Sequence, residues 1–292
     1  MNFIMNLNKA EEKEILLEIL DIKKDILKMI YLAQSGHPGG SLSCVNILYV
    51  LYNKIMRINR SDPQWNDRDI LILSKGHAAP ALYAVLSNIG FIGRKELFTL
   101  RKFGSELQGH PLKNKKFGIE ISTGSLGMGL SIGVGCALAA KLDKNEKKYI
   151  YVILGDGELN EGAIWEAAMA ASHYKLDKLI AIVDRNGFQS DGSTEEIMSL
   201  EPLAEKWKAF GWEVIEIDGA NLNEMLEGFQ KSKIIIKKPK VIISYFIKGA
   251  DVSFMEHTRK YHGRPPNKEE YELAIREIEN IKHNLGGQLK NG

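Results

Sequence analysis

The sequence predicts an α/β protein: a mostly parallel sheet with helices on both faces. Two observations carry this. From Tyr149 onward, short apolar runs alternate with helical patterns in the order strand, helix, strand, helix, strand, helix, strand. The runs are rich in Ile and Val and continuous rather than alternating, as strands buried on both faces are. A third observation sets the class: 44% apolar and 26% charged residues over 292 residues is the composition of an ordinary globular chain with ample core.

Each element has its own signal. In "NKAEEKEILLEILDIKKDILKMIYLAQSG", Ile15, Ile19, Ile22, Ile26 and Ile30 fall on one helical stripe, with Gly36 as the stop. "SLSCVNILYVLYNKIM" (Ser41 to Met56) predicts a second helix. "DILILS" (Asp69 to Ser74) is a short apolar run, and "HAAPALYAVLSNIG" after it is helical. "STGSLGMGLSIGVGCALAAKL" (Ser122 to Leu142) reads as a loop feeding a tightly packed, buried helix. The alternation then runs "YIYVILG", "EGAIWEAAMAASHY", "KLIAIVD", "EPLAEKWKAFG", "WEVIEIDG", "NLNEMLEGFQKS" and "PKVIISYFIKG". "NKEEYELAIREIENIKHNLG" is a charged amphipathic helix expected on the surface. With no internal repeat or low-complexity linker, residues 1–292 read as one domain with a helical N-terminal region and a C-terminal helical tail.

Composition also excludes. A net charge of +2 with dispersed lysines gives no footprint for nucleic acid or a membrane surface. The run Lys113 to Lys116 lacks interleaved aromatics and reads as a solvated loop. No stretch is long and apolar enough to span a bilayer, and the N-terminus has no basic, then apolar, leader pattern. Cys44 and Cys136 read as reduced core residues. A cytoplasmic setting is the expectation.

In a doubly wound sheet, ligands bind beyond the carboxyl ends of the strands. Gly155 ends one apolar strand and Asp156 follows it; "AIVDRNG" ends the next with Asn186. Two oxygen-bearing side chains on neighbouring strand ends can grip a hard divalent cation, and the loop carbonyl near Phe188 can add a third oxygen. Gly155 and Gly157 let backbone approach a ligand, and the helix beginning near Glu161 is expected to aim its N–H groups at an anion. These residues compose a site for Mg²⁺ and a diphosphate. The plainer alternative is two polar turns with Asp and Asn as caps. Four histidines lie beside glycine: His37 in "SGHPGGS", His77 in "SKGHAAP", His110 in "QGHPL" and His262 in "YHGRPP". Zinc ligation lacks close His or Cys pairing; a wet cleft needing donors and proton shuttles near pH 7 fits better. His173 and His283 lack such context, and His257 is ambiguous.

Together these segments resemble the N-terminal, diphosphate-binding half of transketolase, across roughly Lys13 to Pro266. "SGHPGGSLS", "LSKGHAAPALYA", "QGHP", "STGSLGMGLSIGVG", "GDGELNEG" with Asn186, and "SFMEHTRKYHGRPP" occur in that family's order. The resemblance implies the thiamine-diphosphate-binding fold. It makes Asp156, Asn186 and the Phe188 carbonyl the ligands of Mg²⁺ (or Ca²⁺ or Mn²⁺), and it puts His77, Gly155 and Gly157 at the diphosphate of thiamine diphosphate. Gly124, Ser125 and Leu126 then pass beside the cofactor. His37, His110 and His262 line the donor-sugar channel, with His262 also at the cofactor. Glu161 and Glu166 match acidic residues near a subunit interface, Glu161 at the cofactor's edge, and read equally as helix N-terminal carboxylates.

Two departures stand out: Ser125 replaces the family's common proline, and Lys248 to Asp251 read "KGAD" where short members often have "KGKG". The pyrimidine-binding domain, with the glutamate that activates the cofactor ring and most of the phosphate-binding arginines, has no counterpart here. The resemblance therefore implies the α subunit of an α2β2 split transketolase acting on sugar phosphates. Three rival readings stand beside it: a transketolase-like enzyme of a specialised sugar pathway, the α subunit of a 2-oxo-acid dehydrogenase, and a non-catalytic subunit. The four histidines argue against the second, and the intact site argues against the third.

Overall fold

The computed structural model describes residues 6–145 and 147–287. Five strands form one wholly parallel sheet in the order β1-β2-β3-β5-β4: β1 Ile70–Leu73, β2 Ile150–Gly155, β3 Leu179–Arg185, β4 Glu213–Asp218 and β5 Lys240–Tyr245. The helices are α1 Lys9–Ala33, α2 Pro38–Val50, α3 Ala79–Asn88, the single turn α4 Arg94–Leu97, α5 Met128–Leu142, α6 Gly162–His173, the single turn α7 Thr194–Ile197, α8 Leu203–Ala209, α9 Leu222–Ile234 and α10 Lys268–Gly287.

Side-chain alternation along the strands divides the core into two layers. Tyr151, Ile153, Ile180, Ile182 and Ile242 pack with α1, α2, α3 and α9 on one face. Val152, Leu154, Ala181, Val183, Val241 and Ile243 pack with α5, α6 and α8 on the other. This is the expected two-faced α/β fold, and the apolar run at Asp69 supplies its edge strand β1.

The five isoleucines of the α1 stripe are all buried. Asn8 and Glu11 form a capping box at the start of α1. Its stop is two residues earlier than Gly36: Gln34 takes the left-handed conformation with φ 45°. Helix α2 starts at Pro38, before the expected Ser41, because proline is preorganised for a first helical position. It runs on into a wider π-helical stretch, Leu51–Ile55. Helix α10 packs along α1, burying Ala274 and Ile278 and stacking Tyr271 on Tyr31 at 4.4 Å between ring centroids.

One expectation needs correction. Helix α5 is not buried all round. Its small residues Gly129, Gly133 and Ala137 face the sheet, but Met128 (47% exposed), Gly135, Ala139 and Leu142 (80% exposed) face outward. The uniformly apolar sequence conceals that division. Helix α6 starts at Gly162, as the sequence places it near Glu161, and a 3₁₀ turn, Gly157–Asn160, lies between the strand end and its start.

Candidate active site

Strands β2 and β3 are neighbours in register, Gly155 opposite Asp184, so Asp156 and Asn186 leave the sheet side by side at its carboxyl edge. Asp156 Oδ1 accepts from the Gly157 N–H at 2.8 Å, and Oδ2 from the Gly187 N–H at 2.6 Å. Gly187 has φ +80°, a turn that a side chain would strain. Burial pushes the Asp156 carboxyl above the ordinary range, the nearby Asp184 charge adds to this, and the two N–H bonds oppose it. Asn186 Oδ1 accepts from the Phe188 N–H at 3.2 Å. Its amide donates to Asp184 Oδ2 at 3.1 Å. A Cβ on Gly157 would lie 2.7 Å from the Gln189 Cβ, so only glycine fits there without a shift.

Buried charges lie beneath this edge. Lys75 is paired with Asp184 and donates to the Gly40 carbonyl at 3.0 Å. Burial works against the Lys75 charge, but Asp184 outweighs it and holds the ammonium above its ordinary value. Ser43 also donates to Asp184 Oδ2, at 2.6 Å. Glu158, likewise buried, accepts from the Ser74 hydroxyl and from the N–H groups of Gly127 and Gly155, both at 2.9 Å. It thereby ties together the ends of β1 and β2 and the start of α5.

Lys248, just beyond β5, is 1% exposed. Its ammonium donates to the Phe188 carbonyl at 3.1 Å and to His262 Nδ1 at 3.0 Å. An ammonium has only donors, so this contact leaves the Nδ1 lone pair as acceptor and puts the ring proton on Nε2. Among the described residues no carboxylate pairs with Lys248 within 4.0 Å. Burial, then the Lys75 charge, lowers Lys248 to about 8.

His37, His77 and His262 form a triangle, with ring centroids 5.1, 5.2 and 5.4 Å apart. Burial pushes all three down. His37 falls to about 4, with Arg101 assisting, and His262 to about 3, with Lys248 assisting. His77 lies well below its ordinary value, with Lys75 assisting. All three rings are neutral at pH 7. His37 Nδ1 is buried without a hydrogen-bond partner among the described residues. His110 stands outside the triangle on an exposed rim, lowered by burial and by Arg101. It packs on Gly124, where a Cβ would come within 3.0 Å of the ring.

A cavity of about 140 Å³ opens beside these groups, walled by Lys75, His77, Asp156, Asn186, Lys248 and His262, with Gly155, Gly157, Leu126 and Phe188 also lining it; His37 and His110 do not line it. A larger cleft of about 860 Å³ lies behind Asn186 and Gly187 against α1 and α10. It holds none of the histidines or buried lysines, so its size does not make it the site. Gly124 and Ser125 flank the smaller cavity through Leu126 rather than lining it. Glu161 does not reach it. That side chain is exposed at the N-cap of α6. Gly155, Asp156, Gly157 and Glu158 line the cavity, and no residue of α6 does. The exposed His257 is also absent from its walls.

Sequence reasoning missed Lys75, Asp184, Glu158 and Lys248. A signal existed for Asp184 and Lys248, since each follows or ends an apolar strand at the same edge as Asp156 and Asn186.

The donor set suits a hard cation bound together with an anion. Asp156, Asn186 and the Phe188 carbonyl offer oxygens only. Among the described residues no group of three or more His, Cys, Asp or Glu can hold a metal alone. Water or a ligand can supply the further oxygens, and Lys248, buried beside them without a carboxylate partner among the described residues, suits an anionic ligand.

This fold and site define a diphosphate-binding α/β domain. The model of the family described as "Transketolase, thiamine diphosphate binding domain" matches residues 19–288, and the chain belongs to that family. It is 48% identical over 256 residues to one of the subunits of apulose-4-phosphate transketolase from Phocaeicola vulgatus, covering 88% of this chain and 90% of that one. It is 44% identical over 258 residues to 6-deoxy-6-sulfo-D-fructose transketolase subunit SqwG of a Clostridium species, covering 88% and 94%. The crystal structure of transketolase from Campylobacter jejuni superposes with a TM-score of 0.79 at 28% identity, covering 99% of this chain but 49% of that one. The chain is thus an N-terminal, thiamine-diphosphate-binding part of a transketolase. No helix among the described residues is long and apolar enough to cross a membrane.

Proposed function

We propose that this chain is the diphosphate-binding subunit of a two-chain transketolase that moves a two-carbon ketol unit from a ketose phosphate to an aldose phosphate. The observation that carries the reading is the buried ammonium of Lys248, without a carboxylate partner among the described residues and set between a divalent-cation donor set and three neutral histidines. Asp156, Asn186 and the Phe188 carbonyl would hold Mg²⁺, or Ca²⁺ or Mn²⁺ in its place. Lys248, His77, Gly155 and Gly157 would meet the diphosphate, and Leu126 would flank the cofactor. Thiamine diphosphate, when bound, supplies the reactive carbon and the electron sink that carbon–carbon cleavage needs.

The chain's own residues bind, orient and handle protons. His262, fixed by Lys248 with its proton on Nε2, offers an N–H to a sugar oxygen. His37, neutral and with Nδ1 free of partners among the described residues, can take a hydroxyl proton or receive a hydrogen bond. His110, on the rim, is placed for the more distant part of a sugar. Two relatives that match over about nine-tenths of their own length are named as subunits, which supports a two-chain enzyme. The outward apolar residues Met128, Leu142 and Met169 on α5 and α6 support a protein partner on that face. That partner would carry the pyrimidine-binding domain, in an α2β2 assembly with the cofactor between chains. Residues 1–292 would then act as one diphosphate-binding domain.

The test is to assay the chain co-purified with its partner for ketol transfer, using a panel of ketose phosphates with ribose 5-phosphate as acceptor. Cofactor-dependent transfer from at least one donor supports the reading; cofactor-dependent decarboxylation of 2-oxo acids without ketol transfer would replace it. Both of these relatives are named for uncommon ketoses, so the panel includes branched and 6-deoxy-6-sulfo donors.

A further inference from the structure

Arg185 ends β3 between Asp184 and Asn186, is 9% exposed, and has no part in the cation or diphosphate contacts described for the site. Its guanidinium joins three segments. Nη1 donates to Thr194 Oγ1 at 2.6 Å and lies 3.4 Å from Asp156 Oδ2. Nη2 donates to Glu195 Oε1 at 2.8 Å and to Glu201 Oε1 at 3.1 Å. Asp156 Oδ2 therefore receives two donors from the end of β3, Arg185 and the Gly187 N–H, which together set the plane of that carboxylate.

Glu195 and Glu201 meet on one nitrogen and bracket the residues between them. Within that bracket Glu195 also takes the Ser199 hydroxyl and the Leu200 N–H, the latter at 3.5 Å. The Thr194 N–H closes back onto the Gly187 carbonyl at 2.9 Å. The segment from 187 to 201 is thus wound around a single cation, and it carries Asn186 and Phe188 at its root. Three carboxylates share that cation. Removing it leaves them facing one another, one of them buried, and takes away the charged tie between the loop and Asp156, leaving the Gly187 N–H bond to that carboxylate. A lysine would provide a charge but not the forked donors that reach two groups at once.

We infer that Arg185 is a positioning residue that fixes the Asp156 carboxylate and anchors the 187–201 loop, so that the oxygens of Asp156, Asn186 and Phe188 are held for a divalent cation as one unit. The inference rests on the reading of those three groups as cation ligands. Outer partners of metal ligands, when removed, cost about 10–100-fold in metal affinity.

The experiment uses the chain assembled with its partner. Mg²⁺ is titrated calorimetrically at fixed thiamine diphosphate, with limited proteolysis of the 187–201 loop in parallel. Arg185→Met is expected to raise the Mg²⁺ half-saturation concentration about 10–100-fold and to open the loop to cleavage. Arg185→Lys is expected to recover only part of the loss. The double variant Glu195→Gln, Glu201→Gln keeps the guanidinium but strips two of its anchors. It serves if Arg185→Met does not fold, and at least a threefold rise is expected from it. A folded Arg185→Met protein, or the double variant, with Mg²⁺ half-saturation within about twofold of wild type would overturn the inference. Wild-type protein that takes up thiamine diphosphate equally well without any divalent ion would instead overturn the reading of the ligands, and the inference with it.

Discussion

Replacing Lys248 with methionine should stabilise the cofactor-free chain while destroying its affinity for the cofactor. Methionine fills nearly the same volume without a charge. In the folded protein the ammonium falls from the ordinary 10.5 to about 8, chiefly by burial. That drop corresponds to about 3 kcal/mol of native-state penalty. The substitution also leaves the Phe188 carbonyl and His262 Nδ1 without their donor, at about 1 kcal/mol for each hydrogen bond. The net expectation at pH 7 is a variant about 1 kcal/mol more stable than wild type. The pH dependence is more diagnostic. Below pH 8 both folded and unfolded wild-type chains carry the proton, so the penalty is complete. Between pH 8 and 10.5 the unfolded chain binds the proton and the folded one does not, so wild-type stability rises with pH through that window. The variant lacks this term. Urea unfolding of both proteins at pH 7 and pH 9.5, without cofactor, measures it. Wild type should gain on the variant by about 2 kcal/mol between the two pH values. Thiamine diphosphate binding should fall at least tenfold in the variant. A variant less stable than wild type by 2 kcal/mol or more at both pH values would refute the argument, because it would make Lys248 a satisfied structural cation rather than one awaiting an anion.

The remaining predictions concern the groups around it. Asp156→Ala should abolish Mg²⁺-dependent cofactor retention in the assembled enzyme with its circular dichroism spectrum unchanged; normal retention would place the metal elsewhere. His37→Ala and His262→Ala should each lower kcat by about two to four powers of ten, and values within threefold of wild type would make these rings structural. In the cofactor-free chain, nuclear magnetic resonance should find His37 and His262 neutral down to pH 5, since they titrate at about 4 and about 3. Both sit below their unfolded value, so each adds stability that is present above pH 6.5 and is lost as pH falls through the folded values. A titration midpoint near 6.5 for either ring would contradict the packing described.

Much of the fold was legible because its signals are local. Continuous apolar runs mark strands buried on both faces, and a five-isoleucine stripe marks α1. Asp156 and Asn186 were legible as a pair for a topological reason: residues just past consecutive strands of a parallel sheet meet at one edge when those strands are neighbours, as β2 and β3 are. The sheet order also explains what was missed. Strand β5 lies beside β3, not beyond β4, and this brings Lys248 to Phe188 across 60 residues of sequence. The local signal for Lys248 was its place just past an apolar strand; its partners are set by the sheet order. Glu158 was missed because "GDGELNEG" does not announce its 3₁₀ turn; the turn buries Glu158 and leaves Glu161 exposed at the start of α6. In α5, small and apolar residues occupy every face, so the sequence could not separate the face packed on the sheet from the face left outward.

The central claim is that the cofactor is clamped between this chain and a second one. The most direct measurement is ketol transfer and thiamine diphosphate affinity for the purified chain, with Mg²⁺, before and after addition of the chain that carries the pyrimidine-binding domain. A ligand held by two chains couples their association to its own binding. The isolated chain should therefore bind the cofactor weakly and show no turnover, and addition of the partner should raise affinity and start transfer together. Transfer at the full rate by this chain alone, with no second polypeptide detectable, would contradict it.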